Sequence, residues 1–241
     1  MRNIPDTVKH LIIINVVLFL ATQMMPDKFY DLFAMHFPLN PHFKIWQIIT
    51  HMFMHGGIAH IVFNMYALYA FGSPLEYVWG KKKFLIFYFV SGLGAILLFS
   101  GIQYFEFSSL MDKLLAAGIS KQEIFHSLLT NRSIPGYGQF TPVLAKMFPL
   151  YHSVMLGASG AIYGILVAFA FYFPDAELML IFIPYPIKAK YFVPLLVLSD
   201  FFFGFTNVLH TPVAHMAHVG GALTGFILMK MWGKHQFNRR Y

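Results

Sequence analysis

Six apolar stretches, most of them close to the length that a helix needs to cross a bilayer, divide this chain of 241 residues. A spanning helix needs roughly 20 mostly apolar residues, because each residue rises only ~1.5 Å and the hydrocarbon core is about 30 Å thick. The stretches cover approximately residues 8–25, 58–71, 84–105, 155–173, 191–208 and 214–232. They predict an all-α membrane protein, a bundle of six transmembrane helices in a single domain over residues 1–241.

The composition of the chain favours the same class. Hydrophobic residues make up 58% of the sequence and charged residues 11%, whereas soluble domains carry about 25% charged residues. A net charge of +7 is expected from basic cytoplasmic loops, so we predict a lipid bilayer and no nucleic acid as partner. The absence of cysteine excludes disulfides, thiolate metal sites and cysteine nucleophiles.

Lysine and arginine predict the orientation of the chain. With a cytoplasmic N-terminus, eleven of the 17 basic residues fall in inside segments and six in the longer outside segments. Basic residues concentrate in cytoplasmic loops, so both termini are predicted to be cytoplasmic in a cell membrane. No cleavage site for a signal peptide follows the first apolar stretch, which we therefore expect to be retained.

Residues 106–150 form a polar insertion between the third and fourth stretches, predicted on the outer side. Its apolar residues recur at helical spacing in two halves, each too short and too charged to span. An amphipathic helix pair lying at the outer surface and helices packed as in a soluble domain are both compatible with this pattern.

Polar residues inside apolar helices are costly and mark functional candidates. Three groups stand out, namely His51, His55, His60 and Asn64; Ser159; and His210, His215 and His218. In the predicted topology the second, fourth and sixth helices all enter from outside, so His60, Ser159 and His218 fall at one depth, in the outer third of the bilayer. Groups at a shared depth on three helices predict one site.

The residue types in this site indicate nucleophilic catalysis. A serine hydroxyl becomes a useful nucleophile beside a base, most often histidine. We expect His218 to be that base for Ser159, with His215 as the competing candidate. His60 and Asn64 are four apart and share one helix face, from which both can donate to an oxyanion. The backbone N–H of Ser159, free at a helix start, would be a third donor.

Small residues and one aromatic residue are expected to support the site. Gly157 and Gly160 on the fourth helix, with Gly221 and Gly225 on the sixth, predict close helix contact. Tyr163 lies four residues after Ser159, on the same face, where its ring can stack on His218.

No carboxylate is expected to orient the histidine, because Asp200 lies in the fifth apolar stretch and Glu76 on the cytoplasmic side of the second. We therefore predict a Ser–His dyad and give Asp200 a structural or gating hydrogen bond. The spacing of His51 and His55 suits zinc, but HExxH is absent. Structural hydrogen bonds are the expected role of both, and no metal or other cofactor is predicted.

The motifs HGGIAHIVFN, GASG and AHVGG, in this order, resemble those of the rhomboid intramembrane serine proteases. The resemblance covers about residues 26–232, apart from the insertion at 106–150. It implies cleavage of transmembrane protein substrates near the outer leaflet, through an acyl-enzyme formed on Ser159 with His218 as base. An oxyanion hole of His60, Asn64 and the Ser159 amide is implied as well.

Two further segments carry the resemblance. Residues 27–54 resemble the first outer loop of the family, which lies partly in the outer leaflet. Glu76 resembles an acid that holds the inner end of the fold together. Water has to reach Ser159, so we expect a polar cavity open to the outside, with the loop after the fifth helix as a movable cap.

Three other functions are compatible with parts of the pattern. A catalytically silent relative would bind transmembrane clients, although such relatives usually lack the serine or the histidine. A transporter would show paired charges or repeat symmetry, and neither is visible. A metalloprotease would lose its activity with chelators.

Overall fold

The computed structural model describes residues 3–180, 183–206 and 214–237. The chain forms mainly helices: α1 (Asp6–Met24), α2 (Pro26–Phe33), α3 (Gln47–Thr50), α4 (Ile58–Ala67), α5 (Ser73–Trp79), α6 (Lys81–Ala116), α7 (Lys121–Thr130), α8 (Thr141–Tyr151), α9 (Ser159–Tyr172), α10 (Ala189–Thr206) and α11 (His215–Phe237). Two antiparallel strand pairs accompany them, β1 (Met35–His36) with β2 (Val154–Met155) and β3 (Glu177–Leu180) with β4 (Ile183–Lys188).

Four helical segments among the described residues are long and apolar enough to cross a membrane: Asp6–Met24, Ile58–Trp79, Lys81–Ala116 and Ala189–Thr206. Helix α9 is apolar but has 14 residues, which at ~1.5 Å per residue is shorter than the hydrocarbon core. The protein is therefore a helical membrane protein, and six spans remain a prediction.

The second span extends beyond its predicted end near residue 71. A π-helical turn over Leu68–Gly72 joins α4 to α5, and the helix continues to Trp79. Gly80 then ends it with φ of 75°, a left-handed conformation that glycine adopts without steric cost. Before this span, Gly56 and Gly57 separate the first loop from α4, which starts at Ile58 as the predicted stretch does.

The first half of the insertion is a continuation of α6, and the prediction of a separate surface helix there was wrong. Helix α6 has 36 residues. Because no glycine or proline occurs between residues 102 and 116, nothing in the sequence interrupts the helix at the charged residue Glu106. Gly118, with φ of 86°, follows its end.

The rest of the insertion folds back onto α6. Side chains from α6, α7, α8, the connections between these helices and the first loop form one buried group, the insertion cluster, consisting of Phe37, Phe107, Leu110, Met111, Leu114, Ile119, Ile124, Leu128, Ile134, Leu144, Met147 and Tyr151. These apolar faces bury one another, as in a soluble domain. Of the two alternatives for the insertion, the structure favours packed helices.

Helix α7 is defined at both ends by its sequence. Ser120 and Glu123 form a capping box, in which the Glu123 N–H donates to Ser120 Oγ (3.3 Å) and the Ser120 N–H to Glu123 Oε2 (2.9 Å). The hydrogen bonds from Ser120 hold the pKa of Glu123 below its ordinary value. Asn131 ends the helix in a left-handed conformation, φ 51°.

The hairpin of β3 and β4, which was not predicted from the sequence, joins α9 to α10. Asp175 precedes it and accepts hydrogen bonds from Lys190 Nζ (2.9 Å) and Lys188 Nζ (3.3 Å). These bonds, the one from Lys190 first, hold the pKa of Asp175 below its ordinary value.

Glu76 joins the end of the second span to the start of the first. Its carboxylate accepts hydrogen bonds from the backbone N–H of Thr7 (3.0 Å) and Val8 (2.8 Å), and the side chain is buried. These donors belong to the first turn of α1, which lacks intrahelical acceptors. Glu76, which belongs to α5, thus caps the N-terminus of α1.

Candidate active site

Ser159 and His218 lie side by side although 59 residues separate them. Ser159 is the first residue of α9, and His218 is in the first turn of α11. The distance from Ser159 Oγ to His218 Nε2 is 2.9 Å. This hydrogen bond is the arrangement that lets an imidazole take the proton of a serine hydroxyl.

Glycines allow these two helices to approach closely. A Cβ on Gly221 would collide with the carbonyl oxygen of Gly160, and one on Gly225 would lie 2.6 Å from Cα of Gly164. A Cβ on Gly164 would lie 3.1 Å from the Gly221 oxygen. No larger residue fits at these contacts unless a backbone moves, so the glycines set the separation of α9 and α11.

Tyr163 covers one face of the histidine. Its ring and the imidazole of His218 are stacked, with centroids 4.2 Å apart and planes 10° apart. The stacking leaves the ring nitrogens of His218 free to form hydrogen bonds in the plane of the imidazole.

The side chains of His60 and Ser159 both lie close to Gly157. A Cβ on Gly157 would be 2.8 Å from His60 Nε2 and 3.7 Å from Ser159 Oγ, and the backbone of Gly157 has φ of 121°. Both observations require glycine at this position. His60 Nδ1 accepts a hydrogen bond from the Gly56 N–H (3.4 Å), so the ring proton belongs on Nε2, which faces Gly157.

Asn64 follows one turn after His60 and is buried. Its Nδ2 has no hydrogen-bond partner among the described residues. A buried donor without an acceptor is costly, which makes it a candidate for binding an oxygen that arrives with a substrate.

The expectation that no carboxylate is in place beside the histidine was wrong. Oδ1 of Asp200, on α10, lies 3.2 Å from His218 Nδ1 and 2.5 Å from His215 Nδ1. The Tyr163 hydroxyl donates to Oδ2. The only sign in the sequence was an unexplained acid in an apolar helix, since the partners of Asp200 depend on how three helices cross.

His215 and His218 form different hydrogen bonds in this site. His215 Nδ1 bonds to Asp200, whereas His218 contacts both Asp200 and the serine. Between the two histidines, this geometry favours His218 as the base. The third histidine of this motif, His210, lies outside the described residues.

His51 and His55 have different surroundings in the first loop. His51 Nδ1 donates to the Gln47 carbonyl oxygen (3.0 Å), which confirms a structural hydrogen bond. The same expectation was wrong for His55, whose buried ring nitrogens have no hydrogen-bond partner in the described part of the chain. Its ring packs edge-on against the ring of His60, with the centroids 5.0 Å apart.

The first loop also holds the segment before the serine. Met35 pairs with Met155 and His36 with Val154, as strands β1 and β2. The Gly157 N–H donates to the carbonyl oxygen of His51 (2.9 Å). The backbone leading into α9 is therefore fixed at two points within four residues of Ser159.

Comparisons with known proteins all point to one family. A sequence model of the Rhomboid domain matches residues 42–235. An uncharacterized mitochondrial rhomboid protein of Schizosaccharomyces pombe is 31% identical over 205 residues, 78% of this chain and 51% of that protein. Rhomboid protease AarA of Providencia stuartii is 28% identical over 194 residues, 76% of this chain and 54% of that protein.

Rhomboid protease GlpG of Haemophilus influenzae is 27% identical over 175 residues, 68% of this chain and 87% of that protein. The chain spans about half the length of the relatives from S. pombe and P. stuartii.

Proposed function

The chain belongs to the rhomboid family, and on that premise we propose that it is an intramembrane serine endopeptidase. The observation that carries the proposal is the 2.9 Å contact between Ser159 Oγ and His218 Nε2. The proposed substrates are transmembrane segments of other proteins, cleaved near the outer leaflet.

In the proposed reaction, Ser159 Oγ bonds to the carbonyl carbon of the scissile peptide while its proton passes to His218 Nε2. The C–N bond then breaks, its electron pair stays on nitrogen, and the amine leaves with the proton from His218. Water hydrolyses the acyl-enzyme ester by the same two steps, which releases the acid and restores Ser159.

The proposed oxyanion hole has three donors. The N–H of Ser159 lies in the first turn of α9, where backbone N–H groups lack intrahelical acceptors. His60 Nε2 and Asn64 Nδ2 are the side-chain donors, and the Asn64 donor is unpaired. Each such donor contributes when it is aimed at the charge that develops in the transition state.

A substrate helix would have to unwind before cleavage, because its carbonyl groups are engaged in helical hydrogen bonds. Small residues at the cleaved position and helix-breaking residues nearby are the proposed preference. The loop proposed as a movable cap falls largely at residues 207–213, outside the described residues.

The membrane in which the protein works is part of the proposal. Basic residues favour cytoplasmic termini in a cell membrane, whereas the S. pombe relative is named as mitochondrial. Fractionation of source cells, with the protein detected by antibody, distinguishes these locations.

A fluorophosphonate probe tests the proposed nucleophile without the natural substrate. We expect the detergent-solubilised protein to be labelled, and Ser159→Ala and His218→Ala to lose more than 99% of the labelling, about the 100-fold or greater loss typical of such residues. Ser153→Ala is the matched control, because Ser153 Oγ bonds to Gln103 Oε1 (3.2 Å) instead of a histidine. It should be labelled like the wild type.

Two results would overturn this function. A folded wild type that neither reacts with the probe nor cleaves a single-span model peptide in liposomes would indicate a client-binding protein. Cleavage that a chelator abolishes would indicate a metalloprotease.

A further inference from the structure

We propose that Asp200 is a positioning residue for His218, and that it holds the Nδ1–H of the imidazole so that Nε2 stays available to Ser159. This inference rests on the proposed protease function. The proposed arrangement then has three groups in line, Asp200 of α10, His218 of α11 and Ser159 of α9, instead of the Ser159–His218 pair alone.

The distances place the three groups in the required order. Asp200 Oδ1 is 3.2 Å from His218 Nδ1, and His218 Nε2 is 2.9 Å from Ser159 Oγ. The two contacts use opposite nitrogens of one ring. A neutral imidazole has one N–H and one acceptor nitrogen, and an ionised carboxylate only accepts hydrogen bonds. The carboxylate therefore selects the tautomer with hydrogen on Nδ1, which leaves the Nε2 lone pair facing the serine hydroxyl.

Tyr163 connects the carboxylate to the same imidazole by a second route. Its hydroxyl donates to Asp200 Oδ2, and its ring is stacked on His218. The ring plane of His218 is thus fixed by stacking, and its rotation within that plane by the carboxylate. These two constraints together determine where Nε2 points.

His215 completes the surroundings of the acid. Its Nδ1 lies 2.5 Å from Asp200 Oδ1, so the carboxylate has partners on three side chains. A buried carboxylate is costly unless such partners surround it, and Asp200 is 5% exposed. The partners allow an acid to remain at this depth in an apolar helix.

The position of Asp200 on α10 argues against a role in general helix packing. The buried residues of α10 are Ala189, Val193 and Asp200. Its neighbours Phe201 and Phe202 are 50% and 56% exposed. The acid is therefore the point at which α10 reaches the Ser159–His218 pair.

The test compares the rate of fluorophosphonate labelling per folded molecule in the wild type and in Asp200→Asn. The amide can donate to Nδ1 and favour the opposite tautomer, with hydrogen on Nε2. We expect the maximal labelling rate to fall about 100-fold or more, with the half-saturating probe concentration unchanged within about twofold. A structural role would instead reduce the fraction of folded protein and leave the rate per molecule unchanged.

Two further variants test whether the loss of labelling depends on the carboxylate at position 200. Asp200→Glu retains a carboxylate and should recover part of the rate. Asp175→Asn makes the same chemical change at an exposed residue between α9 and α10 and should label at the wild-type rate.

Nuclear magnetic resonance of 15N-histidine protein reads the tautomer directly, with His218→Gln used to assign the signal. We expect hydrogen on Nδ1 in the wild type and on Nε2 in Asp200→Asn. If Asp200→Asn does not fold, the wild-type spectrum and Asp200→Glu decide the question.

The outcomes separate the two proposals. A wild type that does not react overturns the protease function. A wild type that reacts, together with Asp200→Asn at the wild-type rate or His218 protonated at Nε2 in the wild type, overturns the role of Asp200 alone.

Discussion

Helices α9 and α11 contact each other backbone to backbone, whereas α10 reaches the same site with a carboxylate. In the first contact, Gly160 and Gly164 of α9 face Gly221 and Gly225 of α11, with no room for a Cβ. Nine of the 14 residues of α9 are buried, whereas the 18 residues of α10 include three buried ones, Ala189, Val193 and Asp200. The serine and histidine are thus on the tightly packed pair, and the acid is on the more exposed helix.

This difference indicates which helix can move at the smallest cost. Separating α9 from α11 would break many dispersion contacts between close backbones, which are individually small and collectively large. Moving α10 would break few apolar contacts, but it would remove the acceptor from His218. A shift of α10 would therefore change the chemistry of the site more than the stability of the fold.

Gly221→Val should have the largest effect, because its side chain would collide with the Gly160 carbonyl oxygen. Overpacking usually costs about 1–3 kcal/mol, but no rotamer relieves a collision of Cβ with backbone, so the loss here should exceed about 5 kcal/mol, which is exceptional for one substitution. Unfolding in denaturant, followed by circular dichroism, measures the loss. Gly101→Val is the control, since a Cβ there meets nothing within 4 Å. Equal stability of the two variants would contradict a backbone-to-backbone contact.

The same substitution on two helices gives the next largest effect. Leu166 on α9 is 5% exposed and Leu198 on α10 is 63% exposed. Leu166→Ala should lower the free energy of unfolding by about 2–5 kcal/mol, and Leu198→Ala by less than about 0.5 kcal/mol. The denaturant midpoints of both variants test this. Similar losses would mean that α10 is packed as tightly as α9.

Glu76→Gln tests a polar attachment that lies away from the site. The amide keeps one acceptor for the two N–H groups of Thr7 and Val8, so one buried hydrogen bond is lost or weakened. We expect a loss of about 1–3 kcal/mol, measured as the shift in thermal midpoint. Glu106→Gln, an exposed residue of α6, should shift it little. Equal shifts would show that the cap of α1 adds no stability.

The meeting of Ser159 with His218 could be predicted from the sequence, because depth in a membrane follows from distance along each helix. Because the second, fourth and sixth helices were predicted to hold their polar groups at equal depth, few arrangements of these helices would keep the groups apart. The glycine contact followed from the same reasoning, since small residues at i and i+4 form a continuous face.

The partners of Asp200 could not be predicted in this way. The acid was predicted to lie in the fifth apolar stretch, but the face on which it lies depends on the rotation of α10 about its axis. That rotation is set by contacts with α9 and α11, and an apolar helix surrounded by lipid carries little periodicity to indicate it.

Two errors in the predicted elements have local causes. Glu106 was interpreted as the end of a helix, yet a charge ends only the apolar part, and α6 continues to Ala116. The hairpin of β3 and β4 was not predicted at all; it accommodates Pro184 and Pro186 because in a two-stranded hairpin every strand is an edge strand, where proline is tolerated.

The pairing of β1 with β2 gives this site a dependence on strand register. Residues alternate faces along a strand and advance about 3.3 Å each, so a slip of one residue between Met35 and Met155 would displace the chain that enters α9 by that amount. A displacement of that size is far larger than the few tenths of an ångström over which hydrogen-bond lengths vary, so it would break the 2.9 Å contact between Ser159 Oγ and His218 Nε2. The register of this two-residue strand pair is therefore a second requirement for the Ser159–His218 contact, beside the glycine contact of α9 with α11.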